Sequence, residues 1–367
     1  MKHHSFLPLL CGIVLALGLG SCSQDVTPTT DTTSLWPAYQ AANQKYGYIN
    51  AAGEWVIQPQ YDAAATFSCG YAKVYLNGKN YYINTKGDLQ QVTFDSVDDF
   101  YYGYAVVSLS GNYGMINNGL TYAIPAVYAH LGQMSKEGLA SFRRSKSDRT
   151  FGYIDKSGTE VIQPVYEWAG DFEDGIACIM QGGKMGAINT SGKMVIMPLY
   201  DQLTSIGNGC VLYSESNKYG LMSTNGTQLT SPLFRAVGQF LNNGLAPYCL
   251  SGSKYGYINR DGKEQIPSNY DLAQPFSEGY AWVMINDQYQ LIDTKGQIVC
   301  YLSEGWHPVS LCHNGLLLVI GEDAEYRYIT PQGTPVFSWK GGSNLSMPSS
   351  STITTNYRAS RHFMLGQ

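Results

Sequence analysis

The side chains able to do chemistry in this 367-residue sequence are few, and most of them recur periodically. Asp62, Glu167, Asp201 and Asp271 each follow a Tyr, while Asp174 and Glu278 each precede a glycine. An acid that recurs at one position is explained most simply by structure, because Asp and Glu accept hydrogen bonds from backbone N–H groups at turns. Glycoside hydrolysis needs two carboxylates about 5–10 Å apart across the substrate, and the linear pattern nominates no such pair. Asp98, Asp99, Asp171 and Glu173 are the least regular acids, and they are expected in solvated loops. His130, His307, His313 and His362 lack the tight spacing of zinc ligands. No GxSxG elbow, phosphate-cradling GxxxxGK or dinucleotide fingerprint occurs. The expectation is a chain with no catalytic residue, no metal and no cofactor.

Recognition has better candidates than catalysis. Two residues past the recurring Tyr the sequence varies, through Ala63, His130, Trp168, Gln202 and Leu272, while neighbouring positions hold constant. Variable positions on a regular scaffold are where ligands are usually met. His130 and Trp168, with Trp306 from another connecting segment, are therefore candidate ligand contacts; an indole can stack on a sugar or fill a partner's pocket. Arg143 and Arg144 open a cationic run that continues through Lys146 to Arg149, and they are candidates for an acidic ligand.

These residues hang on a repeat of about 35 residues. Its anchor is an Ile, a residue with a short oxygen-bearing side chain, and a Gly: Ile49-Asn50 to Gly53, Ile83-Asn84 to Gly87, Ile154-Asp155 to Gly158, Ile188-Asn189 to Gly192, Ile258-Asn259 to Gly262 and Ile292-Asp293 to Gly296. Asn or Asp can bond backbone two residues on, and the Gly supplies the positive φ of a hairpin. The return strand ends in one frame, as in Ile57-Gln58-Pro59-Gln60-Tyr61 and Ile162-Gln163-Pro164-Val165-Tyr166. A connector follows, then a Gly, and two residues later usually an Ala, such as Ala72, Ala105, Ala140, Ala177, Ala246 and Ala281. Each repeat reads as a three-stranded meander plus a connector.

The fullest copy, Lys254-Tyr255-Gly256-Tyr257-Ile258-Asn259 with Phe276-Ser277-Glu278-Gly279-Tyr280-Ala281, resembles the WG β-repeat family. The resemblance runs from about Tyr46 to Val336, although Tyr, Phe or Met stands where that family has its Trp. It implies a repetitive β architecture and no settled activity. A three-stranded unit cannot bury both faces alone, so copies must stack. The expected fold is all-β: about eight three-stranded meanders in a propeller-like ring, with an open superhelical array as the alternative.

The ends carry a different message. Phe6 to Gly20 is an apolar run shorter than the ~20 residues of a membrane-spanning helix but suited to a secretory signal. It ends in Leu19-Gly20-Ser21-Cys22, which resembles the lipobox of bacterial lipoproteins and implies an acyl chain on Cys22. The expected organisation is a signal peptide at 1–21, a lipidated tether at 22–43, a repeat array at 44–337 and a polar tail at 338–367. A net charge of −5 argues against nucleic acid as a partner. Cys69, Cys178, Cys210, Cys249, Cys300 and Cys312 form no CxxC pair and are expected as small buried hydrophobes, with pairing of Cys210 and Cys249 left open. The function these features imply is a non-catalytic binding or scaffolding lipoprotein of the cell envelope, in the outer membrane, facing a protein or glycan partner. A propeller-type glycan hydrolase is the alternative.

Overall fold

Each Asn-x-x-Gly bend is built in the same way. Asn50 Oδ1 accepts the N–H groups of Ala52 and Glu54, both at 3.0 Å, and Gly53 N–H donates to the Asn50 carbonyl at 3.0 Å. Gly53 sits at φ +80°, where a side chain would be strained. Asp155, Asn189, Asn259 and Asp293 repeat the arrangement. The glycine of the aromatic-Gly step has a different cause. A Cβ on Gly47 would lie 2.4 Å from the Ile57 carbonyl oxygen and 2.7 Å from Pro59 N, because the return strand bulges across it.

The computed structural model describes residues 34–241 and 244–341. The expected signal peptide, Cys22, most of the tether, His362 and the tail from residue 342 lie outside the described residues. Among the described residues the chain forms nine antiparallel sheets: blade 1 spans residues 36–61, followed by 63–91, 96–128, 130–166, 168–200, 203–223, 236–270, 272–301 and 307–340. The count corrects the eight expected from sequence, and the strand count is corrected too. The connector adds a short first strand to most blades. Ala63–Ala64, for instance, pairs with Tyr75 and Val74, and Ala65 N–H continues to the Lys73 carbonyl. Two residues show no periodicity, so the sequence pattern could not mark such a strand. The first blade opens with Trp36–Gln40, inside the segment expected to be tether.

Nine hydrophobic cores fill the gaps between blades, and they settle the closure. Tyr48, Ile57 and Tyr61 of blade 1 meet Ala72, Val74 and Ile83 of blade 2. Equivalent cores follow around the chain. The last joins Trp36, Ala38 and Ile49 of blade 1 to Leu316, Leu318, Tyr328 and Trp339 of blade 9. An open array would lack that final interface. The molecule is a closed β-propeller, not a superhelix.

Register explains the recurring Ala. Ala72, Ala105, Ala140, Ala177, Ala246 and Ala281 all pair with the core Ile of the next strand, at the close approach of neighbouring blades. In blade 1 the same place is held by Trp36, opposite Ile49. Its indole Nε1–H donates to the His313 carbonyl of blade 9 at 3.1 Å. Blade 6 departs from the frame in another way. Thr230 replaces the return-strand Ile, the Tyr213 ring crowds Gly220, and the return segment makes only isolated bridges. Cys210 and Cys249 are free, buried thiols, not a pair.

Candidate functional site

Sheets that radiate like spokes must touch each other most at the hub. The segments that touch from blade to blade are the connectors. Ser68 Oγ donates to the Phe100 carbonyl, Ser277 Oγ donates to the Cys312 carbonyl, and Phe240 N–H donates to the Ile206 carbonyl. The last strands form the rim, where Val165 and Leu199 are 54% and 71% exposed. Rim strands carry Pro59, Pro125, Pro164, Pro198 and Pro267, each of which blunts an edge by removing a ladder donor.

The repeating acids are structural. Asp62 and Asp271 accept from the hairpin-tip N–H groups of Asn77 and Asn286, at 2.9 and 3.0 Å, and pair with Lys45 and Lys254. Asp174 accepts from Gly209 N–H at 2.5 Å, and Glu278 accepts from Asn314 and Gly315 N–H at 2.7 and 2.8 Å. These last two cap the connector of the following blade, so they join blades as well as turns.

Of the irregular acids, Asp98, Asp99 and Asp171 are half-buried, contrary to the expectation of a solvated loop, while Glu173 is exposed as expected. Asp99 forms an ion pair with Lys73 of blade 2 at 3.1 Å, each side chain being 13% exposed. Asp98 Oδ2 accepts from Gln133 Nε2 of blade 4 at 3.1 Å. Asp171 lies against the Ser141 hydroxyl of blade 4. Burial, then the neighbouring Glu173 charge, pushes its carboxyl up to about 6. Glu173 is raised by desolvation and then by Asp174 and Glu137, and Asp174 beside it carries the hydrogen bond to blade 6. Glu173 is solvent-exposed. Blades 2 to 6 are thus linked at the hub by polar contacts. Buried acceptor atoms remain unpaired at Gln133 Oε1 and Glu137 Oε2. From blade 7 onward the position of Asp99, Gln133 and Asp171 is held by Gln239, Pro275 and Ser310, and the fully buried Trp282 donates to the Ser310 carbonyl at 3.2 Å.

Three of the sequence candidates converge and two do not. His130 pairs in register with Arg143, and both meet the Phe151 ring, at 5.3 and 5.5 Å. Burial, then the Arg143 charge, pushes the His130 imidazole down to about 4. Arg144 beside them grips Glu160 with two nitrogens and reaches Gln163 at 3.2 Å. Trp168 packs over Gly170 in blade 5. Trp306 lies in the connector just ahead of blade 9, with the Arg327 guanidinium 4.2 Å above its ring. Sequence reasoning passed over Lys73, Gln133 and Ser141, and misjudged Asp99 and Asp171. The available signal was position. Asp99 and Asp171 stand where other connectors have Thr66, Ser205, Pro275 or Ser310. Among the described residues no three His, Cys, Asp or Glu side chains are grouped to hold a metal.

The model of the WG containing repeat matches residues 46–79, 91–113, 151–184, 185–219, 219–253 and 255–289, more than half of the chain. The chain belongs to the WG-repeat family. Each WG repeat straddles two blades, since 46–79 takes the last two strands of blade 1 and opens blade 2. No curated protein matches the chain in sequence. Among solved structures, a eukaryotic initiation factor matches at 11% identity and TM-score 0.61, over 84% of this chain and 96% of that one. BamB from Moraxella catarrhalis (10% identity, TM-score 0.41, 69% and 89% covered) and Hsv2p from Kluyveromyces lactis (9%, 0.39, 64% and 93%) also match. The initiation-factor likeness is one of fold alone, and the fold it shares with this WG-repeat protein is the propeller.

Proposed function

We propose that this protein is a non-catalytic binding or scaffolding propeller of the bacterial cell envelope, tethered through acylated Cys22 and presenting its hub to a glycan. The observation that supports this is the row of polar contacts from blade 2 to blade 5, in which Asp98, Asp99, Gln133 and Asp171 gather acceptor atoms between neighbouring blades. A surface rich in acceptors suits a ligand rich in donors, and sugar hydroxyls are such donors. Exposed Val165, Met197 and Leu199 on the rim offer a second, apolar face suited to a protein partner. The tether rests on the residues before Cys22 and on the need for more than one acyl chain for stable anchorage.

A glycan array probed with the full chain tests the binding. Capture of hydroxyl-rich ligands, weakened at least about tenfold by Gln133→Ala or Asp171→Ala, is expected on the scale of a lost buried hydrogen bond. Capture of no glycan overturns it, and capture of an envelope protein alone moves the site to the rim. Incorporation of labelled palmitate, abolished by Cys22→Ala, tests the tether. One observation favours a second reading. A half-buried carboxyl pushed up to about 6, as at Asp171, is the kind used as a general acid in glycoside hydrolysis. Release of new reducing ends, lost in Asp171→Asn, would replace binding with hydrolysis.

A further inference from the structure

The cations of residues 143–149 take no part in the row of polar contacts at the hub. Arg143 ends the strand Leu139–Arg143 of blade 4, and alternation places it on the same face as Leu139 and Ser141. Leu139 belongs to the core between blades 4 and 5, and Phe151 packs against that core. The Phe151 ring carries both Arg143 and His130. Guanidinium and imidazole therefore stand side by side on the face of blade 4 that looks toward blade 5. Both residues are half-buried, so each keeps surface that a small solute can reach.

The charge is what sets this place apart. In other blades the residue at the register place of Arg143 is Tyr75, Ser108, Met180, Cys249, Met284 or Ile320, none of them basic. Filling the gap between blades needs no cation, and withdrawing one from water without a counter-ion is costly. Among the described residues Arg143 forms no ion pair, and its buried Nε has no hydrogen-bond partner. The acids of the surrounding elements are spent elsewhere. Asp171 lies against the Ser141 hydroxyl, Arg144 holds Glu160, and Asp148 accepts from Ser145 N–H. Glu167 accepts from the N–H groups of Gly182 and Gly183 at 2.8 and 3.1 Å. Exposed Lys146 and Arg149 follow on the same hairpin, so this corner is cationic on a chain whose net charge is −5.

We propose that Arg143 and His130 form a binding site for an oxyanion, the carboxylate, phosphate or sulfate group of an acidic ligand. The guanidinium supplies a planar fork that grips two oxygens, and the imidazole beside it supplies one further N–H. Register pairing of His130 with Arg143 and the shared Phe151 ring hold both donors in place before the ligand arrives, which lowers the cost of ordering them. Lys146 and Arg149 draw an anion toward the site from a distance. The site lies apart from Asp98, Asp99 and Gln133, and it stands whether or not the hub takes a glycan.

The test titrates inorganic phosphate, sulfate and glucuronate separately into the full chain by calorimetry, with ionic strength held constant by chloride salts. At least one is expected to bind in the millimolar range, and which one binds tells a phosphorylated or sulfated source from a uronic one. Arg143→Met, which keeps the length of the side chain, should weaken that binding at least about tenfold, and Arg143→Lys by less, as loss of charge-assisted hydrogen bonds does. Lys146→Ala with Arg149→Ala should weaken it by no more than about threefold, an effect that high salt removes. Methylglyoxal modification of the unaltered chain, mapped by mass spectrometry, serves if Arg143→Met does not fold. The probe at ten times its Kd should slow modification of Arg143 by about tenfold through mass action and leave Arg149 unchanged. Absence of binding by all three probes, or binding that survives Arg143→Met, would overturn the proposal. So would a larger loss in the Lys146 and Arg149 variant, equal protection of Arg143 and Arg149, or an Arg143 that the reagent cannot reach.

Discussion

Blades 2 to 6 and blades 7 to 9 share one apolar connector position but differ in the side chains beside it. On the first arc neighbouring blades meet through Lys73 and Asp99, Gln133 and Asp98, Ser141 and Asp171. On the second, Trp282 and Leu318 stand at the register position that Lys73 and Ser141 hold on the first, and hydrogen bonds between blades persist there at Ser277 and Glu278. Hydrocarbon stabilises a junction in proportion to the area it buries. Polar pairs return little beyond their desolvation cost and punish the loss of one partner. The apolar arc therefore serves as the mechanical side of the ring. The polar arc trades stability for a surface that can exchange hydrogen bonds with something else.

The largest effect that can test this contrast is expected from Trp282→Ala, which should cost about 3–5 kcal/mol in denaturant unfolding while leaving ligand capture by the polar arc unchanged. A loss below about 1 kcal/mol would mean that the apolar arc is not the stabilising side. Next comes Lys73→Met, which strands Asp99 at 13% exposure and should cost about 2–3 kcal/mol. Lys73→Met with Asp99→Leu should recover most of that, and a double variant no better than the single one would make the pair irrelevant. His130 gives a smaller, pH-dependent term. Its folded pKa of about 4 lies below the ordinary 6.5, so its contribution is present above pH 6.5 and is lost as pH falls toward 4. That loss is on the order of 2 kcal/mol, and urea midpoints across this window should flatten in His130→Gln. Asp171 has the opposite sign. Its pKa is raised to about 6, so the protonated form is favoured by folding, and stability is lost as pH rises from about 4 through 6. Asp171→Asn should therefore raise the melting temperature by about 1–3 °C at pH 7.5 and give no gain at pH 3.5. An equal shift at both pH values would remove the burial argument.

Much of the repeat was legible because its signals are local. Asn50 and Gly53 make their bend with atoms a few residues apart, so the pattern is written in adjacent letters. Ala72 and Val74 announce core positions by alternation within a single strand. The short inner strands were not legible, since Ala63–Ala64 is too brief to alternate and pairs only because the following strand presents an edge. The candidate site was partly legible. His130 and Arg143 share one blade and were noticed for their unusual chemistry, whereas Lys73 and Asp99 lie in different blades and become partners only through packing.

The sequence by itself determined the unit: a hairpin module with turn chemistry, core alternation and glycine positions fixed by neighbours along the chain. Tertiary structure alone decided how many units there are, that the first meets the last through Trp36 and Trp339, and which connectors bring carboxylates to the hub. The reason is physical. Hydrogen bonds in a turn are set by covalent proximity, while closure and the hub depend on the accumulated rotation of nine blades and on side chains as far apart in sequence as Pro37 and Tyr328.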